Sequence, residues 1–146
     1  MSDYMFMLES HLSPEQNRAV LAIEAAASAA SMPLFLTGGA MRDMGGGFPI
    51  RDLDFTVEGN AIKLARALIH ADKSIALVTT DEFRRCAELA FPGGVTASIS
   101  SAQQARFPKA GGKPVVEPAT IHEDLRGRDF TVNAIALSLS RASRGL

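Results

Sequence analysis

A chain of 146 residues with 47% hydrophobic content has the length of one ordinary domain and enough apolar material for a core. Its 15 basic and 16 acidic side chains leave a formal charge of −1, so no overall field draws in a polyanion and a nucleic-acid partner must be met locally. The single cysteine, Cys86, excludes an internal disulfide and a cysteine-based zinc site; with no leader-like N-terminus and no apolar run of bilayer length, a cytoplasmic setting without a membrane partner is expected.

Ser13-Pro14-Glu15-Gln16 reads as a helix start, with Ser13 as cap, Pro14 in the first turn and Gln16 reaching back. The helix should run to about Ser31, a packing element with a blurred apolar stripe. Leu34 to Thr37 is a short apolar strand closed by Gly38-Gly39, a turn suited to unusual backbone angles, and Ala40 to Met44 should add a turn or two of helix. After Gly45-Gly46-Gly47 and Pro49, the stretch Asp52 to Glu58 alternates polar and apolar as a half-buried strand does. Asn60 caps a helix reaching about Ala71, with Ile62, Leu64, Ala65, Leu68 and Ile69 at helical spacing.

Ile75 to Thr79 should return as a strand, giving a parallel strand-helix-strand crossover. Phe83 to Phe91 and Val95 to Ser101 are expected as two strands joined by Pro92-Gly93-Gly94; in the second, Thr96, Ser98 and Ser100 share the polar face. Gln103 to Pro118, with Pro108, Gly111, Gly112, Pro114 and Pro118, reads as a loop. Thr120 caps a short helix through Leu125, and Phe130 to Leu139 is expected as the last helix. The sequence then stops at Ser143-Arg144-Gly145-Leu146 without a closing element, as a longer protein cut short would.

Three clusters carry candidate chemistry. Gly38-Gly39 with Arg42 offers backbone N–H groups and a guanidinium that suit a triphosphate, although such turns often only reverse a chain and Arg42-Asp43 can be a surface pair. Asp52 and Asp54, two residues apart, share one face of a strand while Leu53 and Phe55 point into the core. Such a pair either ends a strand in water or holds Mg²⁺ through hard oxygen ligands, with room for two ions about 3.5–4 Å apart. Arg126, Arg128 and Asp129 are a solvated cluster or, with Thr131 and Asn133, a set able to bond phosphate and ribose. His11, His70 and His122 have no metal-like spacing, and Cys86 reads as a small core residue.

Leu36-Thr37-Gly38-Gly39-Ala40-Met41-Arg42-Asp43 with Arg51-Asp52-Leu53-Asp54-Phe55, followed by Glu123-Asp124-Leu125-Arg126-Gly127-Arg128-Asp129-Phe130-Thr131-Val132-Asn133-Ala134, form two motifs. In order and separation they resemble the head domain of the class II nucleotidyltransferases, the bacterial CCA-adding tRNA nucleotidyltransferases and poly(A) polymerases of the DNA polymerase beta superfamily. The resemblance covers about residue 33 to the end. It implies an α/β palm, a mixed sheet of about five strands with helices mainly on one side. The expected organisation is a single head domain, an N-terminal helix over 1–32 and a catalytic core over 33–146, ending before helical neck, body and tail domains.

The same resemblance implies that Asp52 and Asp54 are catalytic and bind two Mg²⁺ ions. Its nucleotide-binding set is Gly38, Gly39, Arg42, Asp43, Arg128, Asp129 and Asn133, with Gly39 and Arg42 on the phosphates and Arg128 and Asp129 near the ribose. The implied partners are an NTP, ATP or CTP, and an RNA 3′ end, that of tRNA; the reaction is CCA or poly(A) addition by in-line attack of the 3′-hydroxyl on the α-phosphate.

The sequence departs from the family pattern in several places. Where the family has an Asp-Val-Ala-Thr-Ala-Arg type segment, this chain has Ser98-Ile99-Ser100-Ser101-Ala102-Gln103, so the acid is Ser98 and the arginine Gln103. Weaker Mg²⁺ binding follows unless Glu88 on the adjacent strand substitutes. Gly127 replaces a common second arginine, Met44-Gly45-Gly46 a Leu-rich helix, and Phe83-Arg84-Arg85 a Phe-Gly-Thr. These departures motivate an alternative, a non-catalytic nucleotide-binding or regulatory module.

Overall fold

Ser13 opens helix α1 (Pro14–Ala29), as its sequence predicts: the Gln16 N–H donates to Ser13 Oγ at 3.1 Å and the Ser13 N–H donates to Gln16 Oε1 at 2.9 Å. The structure is a computed structural model, describing Leu8 and residues 10–38, 53–106, 115–126 and 136–139. The buried stripe of α1 is Ala19, Val20, Ile23 and Ala27, narrow because small residues let the helix lie close.

After α1 come β1 (Leu34–Thr37) and β2 (Leu53–Val57), paired antiparallel with Thr37 opposite Asp54 and Leu36 opposite Phe55. Helix α2 (Ala61–Ala71) follows, its Lys63 N–H donating to the Asn60 cap at 3.0 Å. Then β3 (Ala76–Asp81), β4 (Cys86–Phe91) and β5 (Val95–Ser101) form an antiparallel meander. Strand β5 lies parallel to β2, Ser98 opposite Asp54, which joins the meander to the first hairpin. The crossover from β2 through α2 to β3 is parallel in sense, as expected, but β4 and β5 lie between its strands.

Both long helices cover one face of this sheet, in agreement with the expected palm. Alternation decides which side chains they meet. Leu53, Phe55 and Val57 from β2, Ala87 and Leu89 from β4, and Ala97 and Ile99 from β5 are buried together with Ile23, Leu64, Ala65 and Leu68 of the helices. Phe55 is fully buried, and a side chain of that size contributes roughly 3 kcal/mol by leaving water. Burial of the odd-numbered residues of β2 fixes its register, so Asp54 must lie on the other face. The N-terminus of α2 is tied to the same sheet: the Ala61 N–H donates to the buried Ser101 Oγ at 2.9 Å.

Two expectations are corrected. The stretch 136–139 is not helical: β8 (Ala136–Ser138) pairs antiparallel with β1 and the Leu139 N–H donates to Leu34 O at 2.7 Å, making a six-stranded sheet in the order β3-β4-β5-β2-β1-β8. Without it β1 would be an edge with unpaired backbone groups, and that demand overrides the helical spacing at Leu137; residues 130–135 of the expected helix lie outside the described residues. The stretch 103–118 is not one loop: β6 (Gln103–Arg106) and β7 (Val115–Pro118) form a two-stranded antiparallel ribbon. The Pro and Gly cluster lies between these strands, and Pro118 closes the ribbon where a missing N–H is tolerated.

The expected strand over 83–91 begins only at Cys86, because 82–85 make the turn from β3. Arg85 has φ 57°, a left-handed conformation that side chains with a Cβ resist. Arg85→Gly is therefore expected to raise stability by roughly 0.5–1 kcal/mol, measured by chemical denaturation.

Candidate active site

Asp54 stands half-buried on the sheet face away from the helices, on the strand between β1 and β5. Three neighbours fix it. On the β1 side, Thr37 Oγ1 donates to the Asp54 carbonyl oxygen at 3.3 Å and lies 3.2 Å from Thr56 Oγ1, stitching the hairpin beneath the carboxylate. At the end of β1, Gly38 has φ 71°, and a Cβ there would stand 3.0 Å from Asp54 Oδ2. On the β5 side, Ser98 Oγ donates to Asp54 Oδ1 at 2.6 Å. Gly38 and Asp54, apart in sequence, are therefore side by side.

Glu88 is directly opposite Ser98 across β4 and β5, so Asp54, Ser98 and Glu88 make one row across three strands. With Val78 and Thr96 they line a cleft of about 240 Å³. Glu88 is exposed within it, two strands from Asp54. Among the described residues, no three His, Cys, Asp or Glu side chains gather as a metal site. Gly39, Arg42, Asp43, Asp52, Arg128, Asp129 and Asn133, like the helix expected over 40–44, lie outside the described residues.

The start of the second motif is described, and its acids have structural work. Helix α3 (Ile121–Arg126) is capped reciprocally, Glu123 N–H to Thr120 Oγ1 at 3.2 Å and Thr120 N–H to Glu123 Oε1 at 2.9 Å. Asp124, buried, accepts the Gln103 N–H on Oδ2 at 2.8 Å, which fastens α3 to the residue where β6 leaves the end of β5. Gln103 also puts a buried Oε1 where the family's arginine would be, with no partner among the described residues.

Cys86 is half-buried on the same sheet face as Glu88 rather than in the core. Burial pushes its thiol above the ordinary value, the Asp81 carboxylate adds to the rise, and nearby Arg84 opposes it, so it is a poor nucleophile at neutral pH. Sequence reasoning noted Ser98 only as a missing acid. The polar alternation of β5 gave its face, but the parallel register that aims it at Asp54 is a property of the assembled sheet.

Comparison with known proteins decides the family, since residues 34–143 match the poly A polymerase head domain. The chain belongs to this head-domain family. It is 38% identical over 111 residues to the A-adding tRNA nucleotidyltransferase of Aquifex aeolicus, covering 76% of this chain and 13% of that protein. To the CC-adding tRNA nucleotidyltransferase of Deinococcus radiodurans it is 39% identical over 106 residues, covering 73% of this chain and 28% of that protein. Among solved structures, a CCA-adding enzyme in an apo form superposes with a TM-score of 0.83 at 29% identity, over 98% of this chain and 33% of the other. A Thermotoga maritima CCA-adding enzyme complexed with tRNA_CCA gives 0.75 at 29% identity, over 97% of this chain and 30% of that one. The head domain described here thus has the nucleotidyltransferase fold and spans a third or less of each of these proteins.

Proposed function

We propose that this head domain catalyses Mg²⁺-dependent transfer of a nucleotidyl group from ATP or CTP to the 3′ end of tRNA. The observation that carries the reading is the Asp54 carboxylate, held on the solvent side of the sheet by Ser98 and abutting the Gly38 turn. Relatives with this fold have been solved with CTP and with a primer tRNA and an incoming ATP analog, which supports the same partners here.

The donor set fits a hard dication, because a carboxylate at a half-exposed sheet position suits Mg²⁺ and, among the described residues, no Cys, Met or His lines the cleft beside it. Asp54 with Asp52 would hold it; when bound, Mg²⁺ supplies Lewis acidity at the 3′-hydroxyl and neutralises the charge that develops on the departing pyrophosphate. The protein's own part is positioning. Gly38 and Gly39 would give a backbone turn with no side chain in the way of phosphate oxygens, Arg42 would bring a guanidinium to them, and Arg128, Asp129 and Asn133 would orient the ribose. No protein nucleophile is required, since the RNA hydroxyl attacks directly. The test is incorporation of labelled ATP or CTP into tRNA by the full-length protein with Mg²⁺; incorporation that survives both Asp52→Ala and Asp54→Ala overturns the assignment.

The Ser98 hydroxyl on Asp54 Oδ1 favours a second reading, a nucleotide-binding module that has lost turnover. Ser98→Asp separates the two. Placed directly across from Asp54, a second carboxylate repels it, so without metal the variant should melt earlier by up to about 1 kcal/mol of stability. In a catalytic site Mg²⁺ reverses that loss and binds more tightly than to the parent. In a metal-free module the loss persists at every Mg²⁺ concentration.

A further inference from the structure

We propose that Ser98 is a positioning residue for Asp54, replacing a negative charge by a hydrogen-bond donor that orients the remaining carboxylate for its cation. This rests on Asp54 being a metal ligand, as proposed above. The bond from Ser98 Oγ to Oδ1, at 2.6 Å, is as short as charge-assisted O–H···O⁻ bonds are. Its geometry is set by the backbone ladder, because β2 and β5 are parallel neighbours with Asp54 and Ser98 in register and with Phe55, Val57, Ala97 and Ile99 of the same strands locked in the core.

The opposite side of the carboxylate is bounded as well. Oδ2 faces Gly38 so closely that even a methyl group there would stand 3.0 Å away. A carboxylate bonded on one oxygen and flanked on the other has little freedom about its last torsion, and its remaining lone pairs point in a fixed direction. Partners that orient a ligating carboxylate typically change metal affinity by about 10–100-fold when removed. An acid at Ser98 would instead add charge and repel Asp54 until a cation arrived. The serine thus trades affinity gained from charge for affinity gained from order.

A merely structural serine, half-buried and content with any acceptor, would leave metal binding unchanged when removed. The experiment is titration with Mn²⁺ alone, free ion followed by its electron paramagnetic resonance, on the full-length protein without nucleotide or RNA. The variants are Ser98→Thr and Ser98→Val, nearly isosteric and differing in the hydroxyl, with Ser98→Ala and Asp54→Asn beside them. Ser98→Val and Ser98→Ala are expected to bind Mn²⁺ about 10-fold more weakly, Ser98→Thr within about threefold of the parent, and Asp54→Asn not measurably. Should Val and Thr bind alike while Asp54→Asn loses binding, the positioning role is overturned and the metal platform stands. If Asp54→Asn keeps parental affinity, the platform itself fails and the positioning role falls with it. Because Val and Thr perturb packing alike, their ratio reads the hydroxyl even if both melt early.

Discussion

Asp54→Asn is expected to lower nucleotidyl transfer by about three orders of magnitude, equivalent to ~4 kcal/mol of transition-state stabilisation, while the fold stays intact. The substitution changes charge and almost nothing else. Asn Oδ1 can still accept from Ser98 Oγ, Thr37 still donates to the main-chain carbonyl, and Leu53 and Phe55 on the opposite face keep the strand buried. A neutral amide, however, cannot supply the anionic oxygen that a hard dication requires. Steady-state incorporation should show the loss in kcat, with the KM for the NTP moved much less, because the proposed phosphate and ribose contacts belong to other residues. Thermal melting in chelator should differ little from the parent. A variant retaining more than about a tenth of parental kcat would mean that Asp54 carries no catalytic charge.

The fold was readable wherever a local rule and a burial demand agreed. Ser13, Asn60 and Thr120 cap helices where their side chains say they should, and the alternation Leu53-Asp54-Phe55 gives both a core face and a chemical face. Reading failed where long-range pairing decided the outcome. The stretch Ala136–Ser138 satisfies a helical spacing and a period of two equally, and only the open edge of β1 selects the strand. The Pro and Gly cluster after Gln103 hides two short strands because turn residues signal a reversal without reporting what flanks it. For the site, contact between Gly38 and Asp54 was inferable from motif order, whereas the Ser98 bond depends on β5 being parallel to β2 with no stagger, which no local pattern encodes.

Gly38→Ala is expected to damage stability and catalysis by two separable routes. The first is conformational: at φ 71° an L-residue with a Cβ is strained by roughly 1–2 kcal/mol, enough to lower the melting temperature by several degrees in a domain of this size. The second is steric, because the new methyl would stand 3.0 Å from Asp54 Oδ2 and the carboxylate must turn away, against its bond to Ser98. Displacement of an oxygen of the proposed metal ligand should raise the Mg²⁺ concentration for half-maximal incorporation by about 10-fold or more. Gly38→Asn separates the routes. Asparagine enters the left-handed region more readily than alanine, so part of the lost stability should return. Its Cβ occupies the same place, so the demand for Mg²⁺ should remain as high as in the alanine variant. If activity recovered along with stability, the glycine would serve the turn alone; if the Mg²⁺ demand stays high after stability is restored, its missing side chain is part of the site.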